Sequence, residues 1–253
     1  MKKIISLMAV VAFMVVALQT TAQITFGVKA GLNMANISQD YKDSDEEMPT
    51  KMGIAFHGGL AVDYALSEKM SIQSGLLFTI KGYNDDLDEM AKELDAEFDV
   101  SGIELEGSST ARLNYLEIPI HFAYGINEKL QLFAGPYVAI GFGGKAKSDI
   151  TLKFDGQSEP LENETVTLKS VIGEADYTDL AEEGEDFVNG LDFGLNVGLG
   201  YKVTPAILVN AGYSLGLGNL NPSKIKDVTD YEPKDYKMSN NVISLSVTYL
   251  FGK

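Results

Sequence analysis

Apolar and polar residues alternate along most of this chain with a period of two. The clearest stretch runs from Leu113 to Phe142, LNYLEIPIHFAYGINEKLQLFAGPYVAIGF. In its first half Leu116, Ile118, Ile120, Phe122 and Tyr124 fall on one side, with Tyr115, Glu117 and His121 on the other. After a break at Ile126, Asn127, Glu128 and Lys129 the alternation resumes. Leu130, Leu132, Val138, Ile140 and Phe142 now oppose Gln131, Gly135, Tyr137, Gly141 and Gly143. Successive side chains of a β-strand point to opposite faces, so this period predicts two strands, and the short polar break makes them a hairpin.

Six further runs carry the same signature: Gln23–Asn36, Gly53–Leu66, Met70–Tyr83, Gly190–Val203, Ala206–Gly218 and Asn241–Phe251. The total is eight strands. Three connections are short, at Ser67-Glu68-Lys69, at the break after Gly125, and at Thr204-Pro205. Four are long and polar, over residues 37–52, 84–112, 144–189 and 219–240, and the first three of these are rich in Asp and Glu. Within them Leu87 to Phe98 fits a short surface helix. Ser148–Phe154 and Thr165–Val171 look extended and would prolong neighbouring strands. Long and short connections alternate strictly. In an up-and-down meander the four long loops then share one end, and the three turns and both chain termini share the other.

Eight strands close into a barrel whose interior is just wide enough to be filled by side chains. The apolar face could line a soluble, lipocalin-like cavity or could touch lipid. Charge and glycine decide. The polar face carries Lys29, Asp63, Lys81, Glu117, Asp192 and Lys202 together with many glycines, whereas the apolar face is nearly free of charge. Glycine weakens a solvated strand but makes room beside large side chains in a narrow lumen. A Lys or Arg at the lipid midplane costs about 2–4 kcal/mol, so a lipid-facing surface excludes charge. Aromatics cluster near strand ends on the apolar face, as at a membrane interface. The expected fold is all-β: an eight-stranded antiparallel transmembrane barrel with turns in the periplasm and long loops outside the cell.

The start of the chain reads as an export leader. Lys2 and Lys3 precede the apolar run Ile4 to Leu18, and Thr20, Thr21 and Ala22 suit cleavage before Gln23. The expected organisation is a signal peptide at 1–22 and one barrel domain at 23–253. The formal net charge of the 253 residues is −16, and losing Lys2 and Lys3 makes the mature chain more acidic still. That argues against nucleic acid as a partner. There is no cysteine, which excludes disulfides, thiolate metal sites and a lipoprotein anchor.

Four blocks, ITFGVKAGLNMANIS, NYLEIPIHFAYGINEKLQLFAGPYV, LDFGLNVGLGYKVT and SLSVTYLFG, resemble the PorT-like outer-membrane β-barrel proteins of Bacteroidetes-type bacteria. The resemblance covers essentially all of the mature chain and implies the barrel and the outer membrane. That family is defined by its barrel rather than by one activity, and its namesake serves a gliding and protein-secretion system. The final Tyr249-Leu250-Phe251 resembles the aromatic signal read by the barrel-assembly machinery, although Gly252 and Lys253 follow it.

Candidate chemistry is sparse. Gly212-Tyr213-Ser214-Leu215-Gly216 matches GxSxG, but that elbow needs a sharp strand-to-helix turn, and the alternation runs straight through it. His57 and His121 lie on the polar face of non-adjacent strands and read as hydrogen-bonded interior residues rather than metal ligands. Lys29, Asp63, Lys81, Glu117 and Asp192 are expected to form a structural polar cluster, with Lys29 paired to Asp63 and Lys81 to Glu117, because an unpaired buried charge costs several kcal/mol. No catalytic residue, cofactor or metal is expected. The expected function is a structural or interaction protein. Its expected partners are outer-membrane lipid, the assembly machinery during biogenesis, and an extracellular or secretion-system protein met through the acidic loops. The alternatives are a lipid-acting enzyme, for which no clustered nucleophile and base are found, and a soluble carrier.

Overall fold

A computed structural model describes residues 23–41, 48–172, 174–175, 185–222, 224–225 and 236–252. The leader expected at 1–22 lies outside the described residues, as do the acids at 43–47 and Pro233. Among the described residues the strands are β1 (Ile24–Tyr41), β2 (Thr50–Ala65), β3 (Met70–Asp85), β4 (Glu104–Gly125), β5 (Leu130–Phe154), β6 (Gln157–Val171), β7 (Glu174–Ala175), β8 (Glu185–Asn189), β9 (Leu191–Lys202), β10 (Ile207–Gly216), β11 (Lys224–Ile225) and β12 (Tyr236–Leu250), with one helix, α1 (Leu87–Glu97).

Pairing runs β4-β3-β2-β1-β12-β10-β9-β5, and β5 pairs back to β4, so these eight strands close a ring. All eight junctions are antiparallel. First and last strands join over a long register, with Val28 opposite Tyr249 and Met34 opposite Ile243. The eight runs read from the alternation are the eight strands of the ring.

The three short turns share one device. Ser67, Asn127 and Thr204 each turn a side-chain oxygen onto backbone N–H groups just ahead: Ser67 accepts from Lys69 and Met70, Asn127 from Lys129 and Leu130, and Thr204 from Ile207. Such local hydrogen bonds are why Ser, Asn and Thr favour turns. Each turn closes with a backbone bond across its base, such as Ile126 N–H to Leu130 O at 2.9 Å.

At the other end the sheet continues past the ring, and here the loop expectation is corrected. The stretch from Glu104 to Arg112, read as part of a break, is the start of β4 and pairs with the far end of β5. In the break at 144–189 the stretches Ser148–Phe154 and Thr165–Val171 are strand, as expected, and the described residues add more: β5 runs on to Phe154, β6 pairs with it, and β8 adds to β6 in parallel. The sheet therefore has ten strands, eight of them in the ring. Residues 37–41 and 236–240 likewise extend β1 and β12. These extensions show little apolar period because polar residues such as Gln39, Ser239 and Asn240 take buried positions in them, and register carried up from the ring sets their pairing. Helix α1 lies where a helix was expected. Asp86 caps it by accepting from the Glu89 N–H at 3.1 Å. Leu87, Met90, Ala91 and Leu94 form its apolar stripe, packed on Leu105, Ile150 and Leu152.

The ring turns its apolar face outward. Ile118, Leu195 and Val247 are 42%, 50% and 49% exposed, while Lys81 and Asp192 are 2% and 1% exposed. An apolar interior of the soluble-carrier kind is therefore not what this chain builds. Phe56, Phe78 and Phe142 make an outward aromatic row near the long-loop end, with successive ring centroids 5.9 Å apart.

Candidate functional site

The inward face concentrates the polar chemistry. Lys81 from β3 places its Nζ 2.8 Å from Glu117 Oε2 on β4 and 3.0 Å from Asp192 Oδ2 on β9. The Tyr137 hydroxyl donates to Asp192 at 3.3 Å, and Asn240 Nδ2 donates to Asp192 at 3.1 Å and to the Tyr115 oxygen at 3.4 Å. The ammonium also lies 4.1 Å from the Tyr137 ring centroid and 5.4 Å from that of Tyr115. Removing one such ion from water costs several kcal/mol. Two charge-assisted hydrogen bonds and two aromatic faces offset that cost.

Toward the short turns a second layer is built on amides and imidazoles. Asn33 joins His57 Nδ1 at 2.8 Å and donates to Thr79 at 2.9 Å. His121 meets Asn196 at 2.9 Å and stacks on Phe133 with centroids 4.9 Å apart. Two interior cavities of about 40 Å³ remain, and Lys29, Leu77, Pro119, His121 and Asn210 border both. Each holds about three waters at most.

All five residues expected to cluster border this interior: Lys29 and Lys81 with Glu117, Asp192 and Asp63. Asp63 lines the second cavity with Lys29, but the expected ion pair between them does not form. Asp63 is directly opposite Gln73 across β2 and β3, and it accepts from Gln73 at 3.0 Å and from Ser71 at 3.3 Å. Lys29 is opposite Gly59 and lines both cavities.

Above the ionic layer an apolar cluster covers the long-loop end. Tyr115, Tyr137, Ile37, Leu113 and Ala139 from the wall pack with Leu168 from β6 and Leu220 from the segment after β10. Val188 of β8 and Met238 of β12 back them. Glycine makes the large inward rings possible. A Cβ on Gly141 would sit 3.0 Å from the Tyr115 ring, and one on Gly198 would sit 2.4 Å from the Phe133 ring.

Ser214 lies within β10, opposite Asn196 and Val242, with no strand-to-helix turn around it. Neither histidine belongs to a group of three potential metal ligands among the described residues. Sequence reasoning missed Asn240, because it fell in a stretch read as loop. It also gave Tyr115 and Tyr137 no role, although both stood on the polar face beside Glu117 and Gly135.

Residues 19–221 match the family described as outer membrane protein beta-barrel domain. No curated protein matches the chain. Solved structures similar to it include Neisserial surface protein A, with 12% identity and a TM-score of 0.41, covering 88% of this chain and 96% of that one. Ail, the attachment invasion locus protein of Yersinia pestis, gives 13% identity and a TM-score of 0.40, covering 90% and 99%. OprG from Pseudomonas aeruginosa gives 11% identity and a TM-score of 0.34, covering 90% and 96%.

Proposed function

Since the chain belongs to the outer-membrane β-barrel family, we propose that it spans the outer membrane as a sealed eight-stranded barrel and works by what it displays outside the cell. The observation that carries this reading is the double closure of the lumen. An ionic network in which Lys81 bridges Glu117 and Asp192 crosses the tube, and the apolar cluster at Leu168 and Leu220 lies over it. A tube closed twice is a scaffold for its outer end rather than a conduit. That end holds the β4–β5 extension, β6, β8 and α1, and it is rich in exposed acids suited to a basic or cation-bridged protein partner.

In this reading the leader at 1–22 directs export, the assembly machinery inserts the barrel, and the turns lie in the periplasm. The PorT-like blocks support a finer version, in which the outer end serves a protein-secretion apparatus. The test replaces residues 144–189 by a short turn and follows secretion and surface binding in cells. Loss of secretion of many proteins together is the outcome expected of a secretion role, and loss of a single surface-binding activity is that of a display barrel. An unchanged phenotype removes the interaction reading. Steady ion conductance by the intact protein in planar bilayers removes the sealed lumen.

A further inference from the structure

The outward face just beyond the membrane-facing strands holds a basic cleft in an otherwise acidic chain. Phe142 is the last outward apolar residue of β5. By the alternation of the ring, odd positions of β5 face inward, so Lys145 and Lys147 would point into the tube. They do not. Between Leu113 and Tyr115 the β4–β5 register slips, and three residues of β5 span what two of β4 span. Gly143 takes φ +93° there, a left-handed conformation suited to glycine. Such a bulge reverses the facing of everything beyond it. Ala146 then packs inside, and Lys145 and Lys147 stand exposed outside.

Register brings other cations alongside. Arg112 is opposite Lys145 on β4, and Thr167 is opposite it on β6, two residues before Lys169. Arg112, Lys145, Lys169 and Phe187 line an open cleft of about 950 Å³. Among the described residues Arg112 donates to neutral oxygens, those of Tyr83, Ala111 and Asn84, and pairs with no carboxylate. Lys169 pairs with Glu185, which lies outside the lining, and Asp149 lies one outward position beyond Lys147. Thr110, Thr165 and Thr167 are the other neighbours on this face.

Height decides the occupant. Lys145 follows Phe142 by three residues, one of them absorbed by the bulge, which leaves roughly 7 Å of strand and about 5 Å along the membrane normal at a 45° tilt. The headgroup layer on each side of the hydrocarbon core is about 5–8 Å deep. The amines therefore stand at the level of lipid phosphates and open outward toward them. We infer that this cleft binds the phosphate of an outer-leaflet phosphorylated glycolipid, with Arg112 and Lys145 in its lining and Lys147 at the next outward position of β5. The inference rests on the membrane-spanning reading above.

The test uses the full mature chain folded in neutral detergent, with bound lipid counted by native mass spectrometry. Bisphosphorylated lipid A is expected to be retained at least tenfold better than its dephosphorylated form. The K145Q/K147Q variant touches no structural hydrogen bond and should keep the heat-modifiable electrophoretic shift of a folded barrel while its preference falls below threefold. Inorganic phosphate at the same molarity should displace little of the lipid. Equal retention of both lipids, a preference untouched in the variant, or equal displacement by free phosphate would overturn the inference. A wild-type chain with no heat-modifiable shift would instead bring down the barrel reading, and this site with it.

Discussion

The ammonium of Lys81 and the carboxylate of Asp192 sit 3.0 Å apart although 111 positions separate them in the chain. Their strands, β3 and β9, are not neighbours in the ring; β4 and β5 lie between them. The contact therefore ties opposite parts of the wall through the lumen, and Glu117 on β4 makes it a three-point strut.

Breaking that strut from one side should be worse than removing it whole. Lys81→Met strands two buried carboxylates, and losing one partner of a buried pair costs about 3–5 kcal/mol. The quadruple variant K29M/K81M/E117Q/D192N keeps the volumes and deletes the charges of the network, and such replacements are often neutral or stabilising. Urea unfolding in micelles should show the single variant well below wild type and the quadruple variant close to it. Equal losses in both would show that the ions contribute only packing.

Depth along an outward face gives a second test. Leu195 is near the middle of β9 and Leu191 is at its long-loop end, and both side chains point outward. Arginine on a lipid-facing strand costs about 2–4 kcal/mol at the midplane and about 0–1 near the interface. Leu195→Arg should therefore destabilise the folded barrel in lipid vesicles far more than Leu191→Arg. The same pair compared in water-filled surroundings would show no such gradient.

The ring was legible because lipid and lumen impose opposite chemistry on alternate residues, and that leaves a period of two. Pairing within the lumen was not. Both expected ion pairs, Lys29 with Asp63 and Lys81 with Glu117, are offset by four positions in register. Only the second forms, and the competing neighbour decides it. Glu117 stands opposite Leu77 and Ala139, which offer it nothing, whereas Asp63 stands opposite Gln73, which donates to it. The outward turn of Lys145 was hidden for a related reason: a single added residue at Gly143 changes facing without changing composition.

The foot of α1 should be held only between acid and alkaline limits. Lys51 on β2 reaches Asp86 at 2.7 Å and Asp88 at 2.8 Å. The hydrogen bond from Lys51 holds the Asp86 carboxyl below its ordinary range, and the hydrogen bonds Lys51 donates to Asp86 and Asp88 raise its ammonium above its ordinary range. A depressed acid contributes stability above its unfolded pKa and loses it as pH falls through the folded one. A raised base contributes below its unfolded pKa and loses it as pH rises through the folded one. Since the chain lacks cysteine, a spin label on Glu97→Cys reports α1 alone. Its mobility should stay low and flat through neutral pH and rise below the usual Asp range and above the usual Lys range. Mobility that is already high at neutral pH would remove the latch.

The apolar cover and the ionic strut act in series, so they should fail separately. Leu168 and Leu220 enter the cluster from outside the ring wall, while Tyr115, Tyr137 and Leu113 belong to it. Truncating a buried Leu to Ala costs about 2–5 kcal/mol. That loss should fall on the outer unit, because the ring keeps every one of its own backbone pairings. L168A/L220A should therefore raise protease cleavage between β5 and β9 at least tenfold and leave the heat-modifiable shift of the barrel in place. Conductance should stay absent in this variant, because Lys81 still spans the tube between Glu117 and Asp192 beneath the opened cover. Steady current from L168A/L220A would mean that the cover alone closes the lumen and that the strut serves only to brace the wall.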